Sequence, residues 1–358
     1  MTGAKVNSRG KFLSGFVVRP RQTARCLASA VALAAATIAT TGAMPASSVV
    51  SQWNHIAVGG EHACGIRLGN TLWCWGDNSE GELGIGSTTS QDLPQQVTRP
   101  AVAGWASVTA GGFFGCAIRR VGTLWCWGNN DFGQLGIGNT ATQNLPQQVT
   151  TPAATGWTSA AAGETHTCAT RSDGTLWCWG DNFEGQLGIG DMTGQDLPQQ
   201  VTTPAATGWT GAAAGEGHTC ATRSDGTLWC WGNNFEGQLG IGSTTSQDLP
   251  QQVTTPAATG WTTASAGDYQ TCATRTHMLL CWGLNNHGQL GIGTRTSKDL
   301  PRHVMIPSRW GWTLMAPGGD TTCASHTGHT LWCWGDNNVG QLGIGSTTSQ
   351  DLPQQVTS

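Results

Sequence analysis

Short segments in which apolar and polar residues alternate follow one another along the chain from Trp53 onwards. From Trp157 they read WTSAAAG, HTCATR, TLWCWG and, after a glycine-rich connection, LPQQVT. Alternation over a few residues, bounded by Gly, Asp and Asn, is typical of β-strands, and nothing after the amino-terminal segment has a helical period. The proline of LPQQVT cannot donate a ladder hydrogen bond, so we place that strand at a sheet edge. The pattern predicts units of four strands.

The unit is repeated six times. The tryptophan of the tetrapeptide CWGx recurs at intervals of 52, 52, 52, 51 and 52 residues, at positions 75, 127, 179, 231, 282 and 334. A period near 50 with four strands and a Trp-Gly signature is typical of β-propeller blades, because one small sheet cannot bury both faces alone. The sequence therefore predicts an all-β fold, a β-propeller of about six four-stranded blades, with one repeat of 51 or 52 residues per blade.

The pattern AAGExHTCAT…DGTLWCWGxNxxGQLGIG, which covers residues 53–358, resembles the repeat of the regulator of chromosome condensation family, in the form of a bacterial-type secreted β-propeller repeat protein. The resemblance implies a propeller, usually of seven blades. Because six repeats are present, we expect a six-bladed ring whose ends meet, with an open or paired assembly as the alternative.

The two ends of the chain differ in charge. Residues 1–46 hold six basic residues and no acidic one, and they run into CLASAVALAAATIATTGAMPA. This composition predicts a signal peptide or targeting segment over 1–46, followed by the propeller over 47–358. An organelle transit peptide and a weak membrane anchor are the alternatives, although the apolar run is short for a span. We expect a secreted or cell-surface protein without a stable membrane span in its mature form, with an intracellular location as the alternative.

Removal of that segment leaves eleven Lys and Arg residues against 21 Asp and Glu residues, a net charge of −10. A protein that binds a phosphate backbone needs the opposite balance. We therefore expect no nucleic-acid partner.

Each repeat contains two cysteines that face each other across a predicted hairpin. Placing Cys168 opposite Cys178 leaves Ser172-Asp173-Gly174 as a three-residue loop with glycine at its αL position. In the fifth repeat the cysteines are nine residues apart and the loop has lost one residue, so the opposed pairing survives. Even pairing favours six disulfides over cysteines that simply pack in a reducing cell. The predicted pairs are Cys64–Cys74, Cys116–Cys126, Cys168–Cys178, Cys220–Cys230, Cys272–Cys281 and Cys323–Cys333.

No motif for catalysis, metal binding or cofactor binding stands out from the repeat. The absence of Cys-x-x-Cys disfavours a zinc site, and the Asp spacing in the loops matches no recognised calcium loop. We interpret His62, His166 and His218 as structural hydrogen-bonding residues. The Asn of WGxN and the repeated glycines are interpreted as turn residues that tolerate positive φ. We expect no catalytic residue, no metal and no cofactor.

Positions that differ between otherwise equivalent repeats are candidates for binding. They fall in the loop before the cysteine hairpin and in the loop after WGxN, where acidic and aromatic residues are mixed as at interfaces. Tolerated loop drift is the alternative explanation. The candidates are Phe113, Phe114, Glu164, Glu216, Asp268, Tyr269, Phe132, Phe183 and Phe235.

These observations favour an exported, disulfide-stapled, non-catalytic propeller that binds a protein or a cell-surface ligand. An intracellular guanine-nucleotide exchange factor or chromatin-associated regulator, which the resemblance implies for some members, is the second hypothesis and requires free thiols. A lyase or hydrolase at the central channel is the third.

Overall fold

Six four-stranded antiparallel sheets form a six-bladed β-propeller in the computed structural model, which describes residues 52–305, 308 and 311–357. The predicted segment over 1–46 lies outside the described residues. Among those described, no helix has the length and apolar character that a membrane crossing requires. The all-β, six-bladed prediction is confirmed.

Each repeat supplies one blade. Blades one to three contain β1 Trp53–Val58, β2 His62–Arg67, β3 Thr71–Gly76, β4 Gln91–Gln96, β5 Trp105–Ala110, β6 Phe114–Arg119, β7 Leu124–Gly128, β8 Gln143–Gln148, β9 Trp157–Ala162, β10 His166–Arg171, β11 Leu176–Gly180 and β12 Gln195–Gln200. Blades four to six contain β13 Trp209–Ala214, β14 His218–Arg223, β15 Leu228–Gly232, β16 Gln247–Gln252, β17 Trp261–Ala266, β18 Gln270–Arg275, β19 Met278–Gly283, β20 Lys298–His303, β21 Trp312–Pro317, β22 Thr321–His326, β23 Thr330–Gly335 and β24 Gln350–Gln355.

The strands of a blade pair in sequence order. The first strands of successive blades lie beside one another around the axis, so the fourth strands lie at the outer edges. The proline-bearing strand is therefore an edge strand, as predicted, because an edge leaves the missing N–H of proline without consequence. The fourth strand of blade three begins at Gln195, two residues before the predicted start at Leu197, because Gln195 pairs with Gly180 across a bulge.

The cysteine hairpins have the predicted register. Cys168 lies opposite Cys178, and the loop closes through a 3.0 Å hydrogen bond from the Arg171 N–H to the Thr175 carbonyl. Gly174 has a φ of 77°, the left-handed conformation for which glycine is suited. All six predicted disulfides are formed, including Cys272–Cys281 with its sequence separation of 9. The cysteines of the hydrophobic clusters are thus bridged residues as well as core residues.

The hydrophobic core consists of clusters that lie between successive blades. The cluster between blades two and three contains Phe114, Leu135, Val149, Trp157 and Trp179. Such clusters join each of the five pairs of successive blades. Among the described residues, no cluster of this kind joins blade six to blade one.

The prediction for the Asn of WGxN is wrong. These residues do not have positive φ values, although many of the repeated glycines do. Asn182 is completely buried, and its amide donates to the Asp191 and Thr193 carbonyls at 2.8 and 3.2 Å, while its Oδ1 accepts from the Leu187 N–H at 3.0 Å. Asparagine is used here because one side chain supplies two donors and an acceptor. It ties the loop into a fixed shape.

Candidate functional site

Strand direction divides the propeller into two faces. The connections from first to second strand and from third to fourth strand lie on one face, which we call the loop face. The cysteine-hairpin turns lie on the opposite face, the hairpin face. Both variable loop sets noted in the sequence belong to the loop face, because in each blade they occupy these two connections.

Charge is divided between the two faces. All but two of the 21 acidic residues lie in loop-face connections or within the first two residues of a fourth strand, and the exceptions are Asp173 and Asp225. Of the described basic residues, only Arg295 and Lys298 lie there. Carboxylates gathered on one side of a molecule sum to a field that attracts cationic groups.

A groove on the loop face lies between blades two and three. It has a volume of about 410 Å³ and is lined by Asp131, Phe132, Thr140, Asp181, Phe183, Gly194, Gln195 and Asp196. The rings of Phe132 and Phe183 meet edge to face with centroids 6.3 Å apart. Phe132 is 39% exposed and Phe183 is 69% exposed. Exposed aromatic rings beside carboxylates can bind the aliphatic stem and the cationic head of one basic side chain.

Two of the groove carboxylates have defined local roles. Asp181 Oδ1 accepts a hydrogen bond from the Phe183 N–H at 3.1 Å, and its Oδ2 accepts from Thr165 Oγ1 at 3.3 Å. Asp131 Oδ2 accepts from the Asn129 amide at 3.1 Å. These bonds hold the carboxylates at the groove and fix the backbone that carries the Phe183 ring.

The remaining candidate residues also lie on the loop face, with one exception. Phe113, Asp268 and Phe235 are exposed, and Glu164, Glu216 and Tyr269 are half-buried. Phe114 is completely buried in the cluster between blades two and three. It begins β6 and points into the core, so it is not available to a ligand and we exclude it from the proposed surface.

Loop-face side chains also connect neighbouring blades. Ser297 Oγ donates to Glu236 Oε2 at 3.2 Å across blades four and five. The His287 ring lies between Asp320, at 3.9 Å, and Asp336, at 3.7 Å, across blades five and six. A histidine in blade five thus stands among carboxylates of blade six.

The other histidines singled out in the sequence are buried. His166 Nε2 lies 2.9 Å from Thr219 Oγ1, and His218 Nε2 lies 2.8 Å from Thr271 Oγ1 of the next blade. Gly115 occupies the corresponding position opposite His62, whose ring nitrogens have no hydrogen-bond partner among the described residues. Burial lowers the pKa of His166 to about 3 and the pKa values of His62 and His218 to about 4. His166 and His218 thus contact a threonine of the next blade, as expected of structural hydrogen-bonding residues, whereas His62 makes no hydrogen bond among the described residues.

Within the described part of the chain, no group of three or more His, Cys, Asp or Glu side chains is arranged to hold a metal ion. The groove is lined by carboxylates, an amide, a hydroxyl and aromatic rings. The sequence did not identify Asp196, Gln195 or Thr140 as groove residues. Asp196 belongs to the motif QDLPQQ, and because this motif recurs in most repeats, its residues were interpreted as structural.

Comparison with known families identifies the repeat. A model of the regulator of chromosome condensation (RCC1) repeat matches residues 70–118, 121–170, 173–222, 225–274, 277–325 and 329–358. A second model with the same description matches residues 53–82, 105–134, 157–186, 209–238 and 316–341. The matched segments cover most of the chain.

Relatives and solved structures agree with this result. The ultraviolet-B receptor UVR8 of Arabidopsis thaliana is 29% identical over 303 residues, which are 84% of this chain and 69% of UVR8. The human E3 ubiquitin-protein ligase HERC2 is 28% identical over 312 residues, which are 84% of this chain but 6% of the ligase. A crystal structure of yeast RCC1 (Prp20) with Kap60 bound superposes with a TM-score of 0.74 at 20% identity, and covers 85% of this chain and 74% of that chain.

Proposed function

The chain belongs to the regulator of chromosome condensation repeat family, and from its loop face we propose that it is a non-catalytic, protein-binding propeller that binds a basic segment of a partner. The observation that carries this proposal is the groove between blades two and three, where two exposed phenylalanine rings stand among three carboxylates. Prp20, a propeller of the same fold, binds the protein Kap60. A protein ligand for this chain is consistent with that example.

The groove fits a basic side chain better than an apolar one. Of the two groove rings, Phe183 leaves 69% of its surface exposed and Phe132 leaves 39% exposed. A lysine or arginine can lay its methylene stem on such a ring while its charged head reaches a carboxylate. The surrounding acidic face speeds the encounter with a basic segment and disfavours acidic competitors.

Export belongs to the same proposal. Six disulfides, one in each blade, are typical of proteins that mature in an oxidising compartment. The charge and apolar pattern of residues 1–46 supports the same location. The alternative of an intracellular exchange factor or chromatin regulator required free thiols, and in the structure all cysteines of the blades are paired, so we do not favour it. The match to HERC2 spans 6% of the ligase and carries none of its activity to this chain.

Binding of short labelled peptides tests the proposal. We expect the intact protein to bind an Arg- and Lys-rich peptide measurably in fluorescence anisotropy, and to bind a Glu-rich peptide of equal length far more weakly. Affinity should fall as salt rises, because the interaction is largely between exposed charges.

Substitutions on the two faces test whether the peptide binds to the loop face. Phe132→Ala and Phe183→Ala should each weaken binding of the basic peptide by roughly tenfold, since an exposed aromatic–cation contact contributes about 0.5–1 kcal/mol and the buried stem adds to it. Val121→Ala is the matched control, because Val121 is 67% exposed on the hairpin face. Equal binding of both peptides, or an equal loss in all three variants, would overturn the proposal.

A further inference from the structure

One part of the hairpin face departs from the repeat. The residue that follows the second strand is Ser or Thr in blades three to six, but it is Leu68 in blade one and Arg120 in blade two. In the connection from blade one to blade two, Arg99 and Val102 stand where the next three connections have Thr and Ala. Each departure replaces a small residue by a long cationic or a larger apolar one. The blade fold does not require these residues, because the other blades form without them.

The four residues belong to segments that meet on this face. The Asn70 carbonyl, in the hairpin turn of blade one, accepts hydrogen bonds from the N–H groups of Gly104 and Trp105 at 3.0 and 3.1 Å, where the connection enters blade two. The Arg120 side chain extends back from blade two, and its Nη2 donates to Asn70 Oδ1 at 2.8 Å. The two hairpin turns and the connection between them therefore form one surface. We call it the hairpin patch, and its residues are Leu68, Arg99, Val102 and Arg120.

The hairpin patch is exposed and cationic. Leu68 is 58% exposed and Val102 is 52% exposed, and the side chains of Arg99 and Arg120 are exposed as well. The two acidic residues of the hairpin face lie in blades three and four, 3.7 and 3.6 Å from arginines of their own blades. The hairpin face of blades one and two therefore has no carboxylate to balance the two exposed guanidinium groups.

We propose that the hairpin patch docks on the loop face of a second copy of the chain. This inference rests on the proposed function, because it names the basic partner of the groove between blades two and three. The groove of one copy holds two exposed phenylalanine rings among three carboxylates. The patch of the next copy supplies arginine stems and apolar side chains for the rings, and guanidinium heads for the carboxylates.

The distribution of charge selects this arrangement of copies. The loop face carries all but two of the acidic residues, so two loop faces repel each other and a loop face attracts a hairpin patch. Because the groove and the patch lie on opposite faces, one copy can use both at the same time. Such a contact is heterologous and does not close on a pair. Copies of the chain should therefore add head to tail.

Sedimentation velocity of the intact protein over a range of concentrations is the first experiment. We expect the weight-average sedimentation coefficient to rise with concentration and to pass the value of a dimer, because each added copy leaves one patch and one groove open. Added salt should reduce the association, since it screens the exposed charges.

A patch variant tests the surface on the hairpin face. It carries Leu68→Ser, Arg99→Thr, Val102→Ala and Arg120→Ser, which are the residues found at these positions in later blades, so the fold should tolerate them. We expect this variant to remain monomeric over the same range of concentrations, and to bind the basic peptide as tightly as the unmodified protein does.

Mixing identifies the two surfaces that meet. A groove variant with Phe132→Ala and Phe183→Ala should also remain monomeric by itself. An equimolar mixture of the two variants should form a one-to-one complex and nothing larger, because one retains the groove and the other retains the patch. The control carries Ser172→Ala, Thr203→Ala and Ser224→Ala, at the matching positions of later blades, and should associate as the unmodified protein does.

The remaining outcomes separate this inference from the proposed function. A protein that binds the basic peptide but stays monomeric overturns the inference and leaves the proposed function standing. Association that persists in the patch variant, or a mixture that forms no complex, shows that copies meet through other surfaces and also overturns it. A monomer that binds the Glu-rich peptide through the patch identifies an acidic segment of another protein as the occupant instead. Failure of the unmodified protein to bind the basic peptide overturns the proposed function itself.

Discussion

Replacing Glu82 by glutamine should stabilise the protein, and only at neutral and alkaline pH. Glu82 stands where the five other repeats have glutamine. Its side chain is completely buried; Oε2 accepts from the Glu80 N–H at 2.9 Å, and Oε1 has no partner among the described residues. In blade two, Gln134 donates from the same position to Asn129 Oδ1 at 2.7 Å. The carboxyl of Glu82 can make that bond only when it carries a proton.

The pKa of Glu82 gives the magnitude. Burial, with a smaller contribution from Asp77, raises its pKa from 4.5 to about 7. Because the folded chain holds this proton more tightly than the unfolded chain, stability is lost as the pH rises from about 4.5 to about 7. At about 1.36 kcal/mol per pKa unit, the loss is about 3 kcal/mol at pH 8.5 and about 0.4 kcal/mol at pH 4.5. Glu82→Gln removes this proton linkage.

Urea unfolding of both proteins at pH 4.5 and pH 8.5, followed by circular dichroism, measures the difference. We expect the variant to gain about 3 kcal/mol at the higher pH and little at the lower one. Glu80→Gln is the control, since it removes a charge from the same loop without removing the buried carboxyl. A gain that is equal at the two pH values, or equal in the two variants, would refute the reasoning.

Three further predictions concern the blades. Trp179→Ala should cost about 3–5 kcal/mol in urea unfolding, and Trp75→Ala clearly less, because Trp75 lacks a docked neighbour. Stability should fall as the pH drops from 6.5 towards 4, since burial holds the pKa of His218 at about 4. His218→Gln should reduce this loss of stability at low pH by up to about 3 kcal/mol, and its effect on stability at pH 8 should be much smaller. Replacing both Cys168 and Cys178 by alanine should lower stability by about 2–3 kcal/mol, measured by urea unfolding against the unsubstituted protein in the same non-reducing buffer.

The blade could be predicted from the sequence because its determinants are local. Its determinants are the strand alternation, the glycine at the hairpin turn and the opposed cysteines, which lie within a few residues of one another. Six copies of the repeat also distinguish the shared pattern from departures in single repeats. The role of Asn182 could not be found in this way, because its partners lie nine and eleven residues along the chain and are backbone carbonyls. Loop residues rich in Asn are usually turn formers, and that preference misled the interpretation.

The binding surface was harder to predict than the blade. Phe113 and Phe114 are adjacent and equally aromatic, yet one is exposed on the loop face and the other fills the core. Alignment of the repeats places Phe114 at the position of His166, which is also buried. The repeat alignment therefore separates Phe114, at a position that we interpreted as structural, from the loop position of Phe113. The groove itself depends on how two blades pack, and a single repeat does not encode that angle.

The charge asymmetry follows from the repeat and the ring together. In one blade, the acidic residue of QDLPQQ begins the outer strand, whereas the arginine that ends the second strand lies on the opposite face. Arg171 and Arg223 are held there over Trp157 and Trp209, each 5.1 Å from the ring centroid. Because a propeller keeps every blade in the same orientation, this small local separation is added blade by blade instead of cancelling. A repeat selected for folding therefore also produces an acidic face, and the variable loops need only supply aromatic rings to give the surface that we propose for a basic partner.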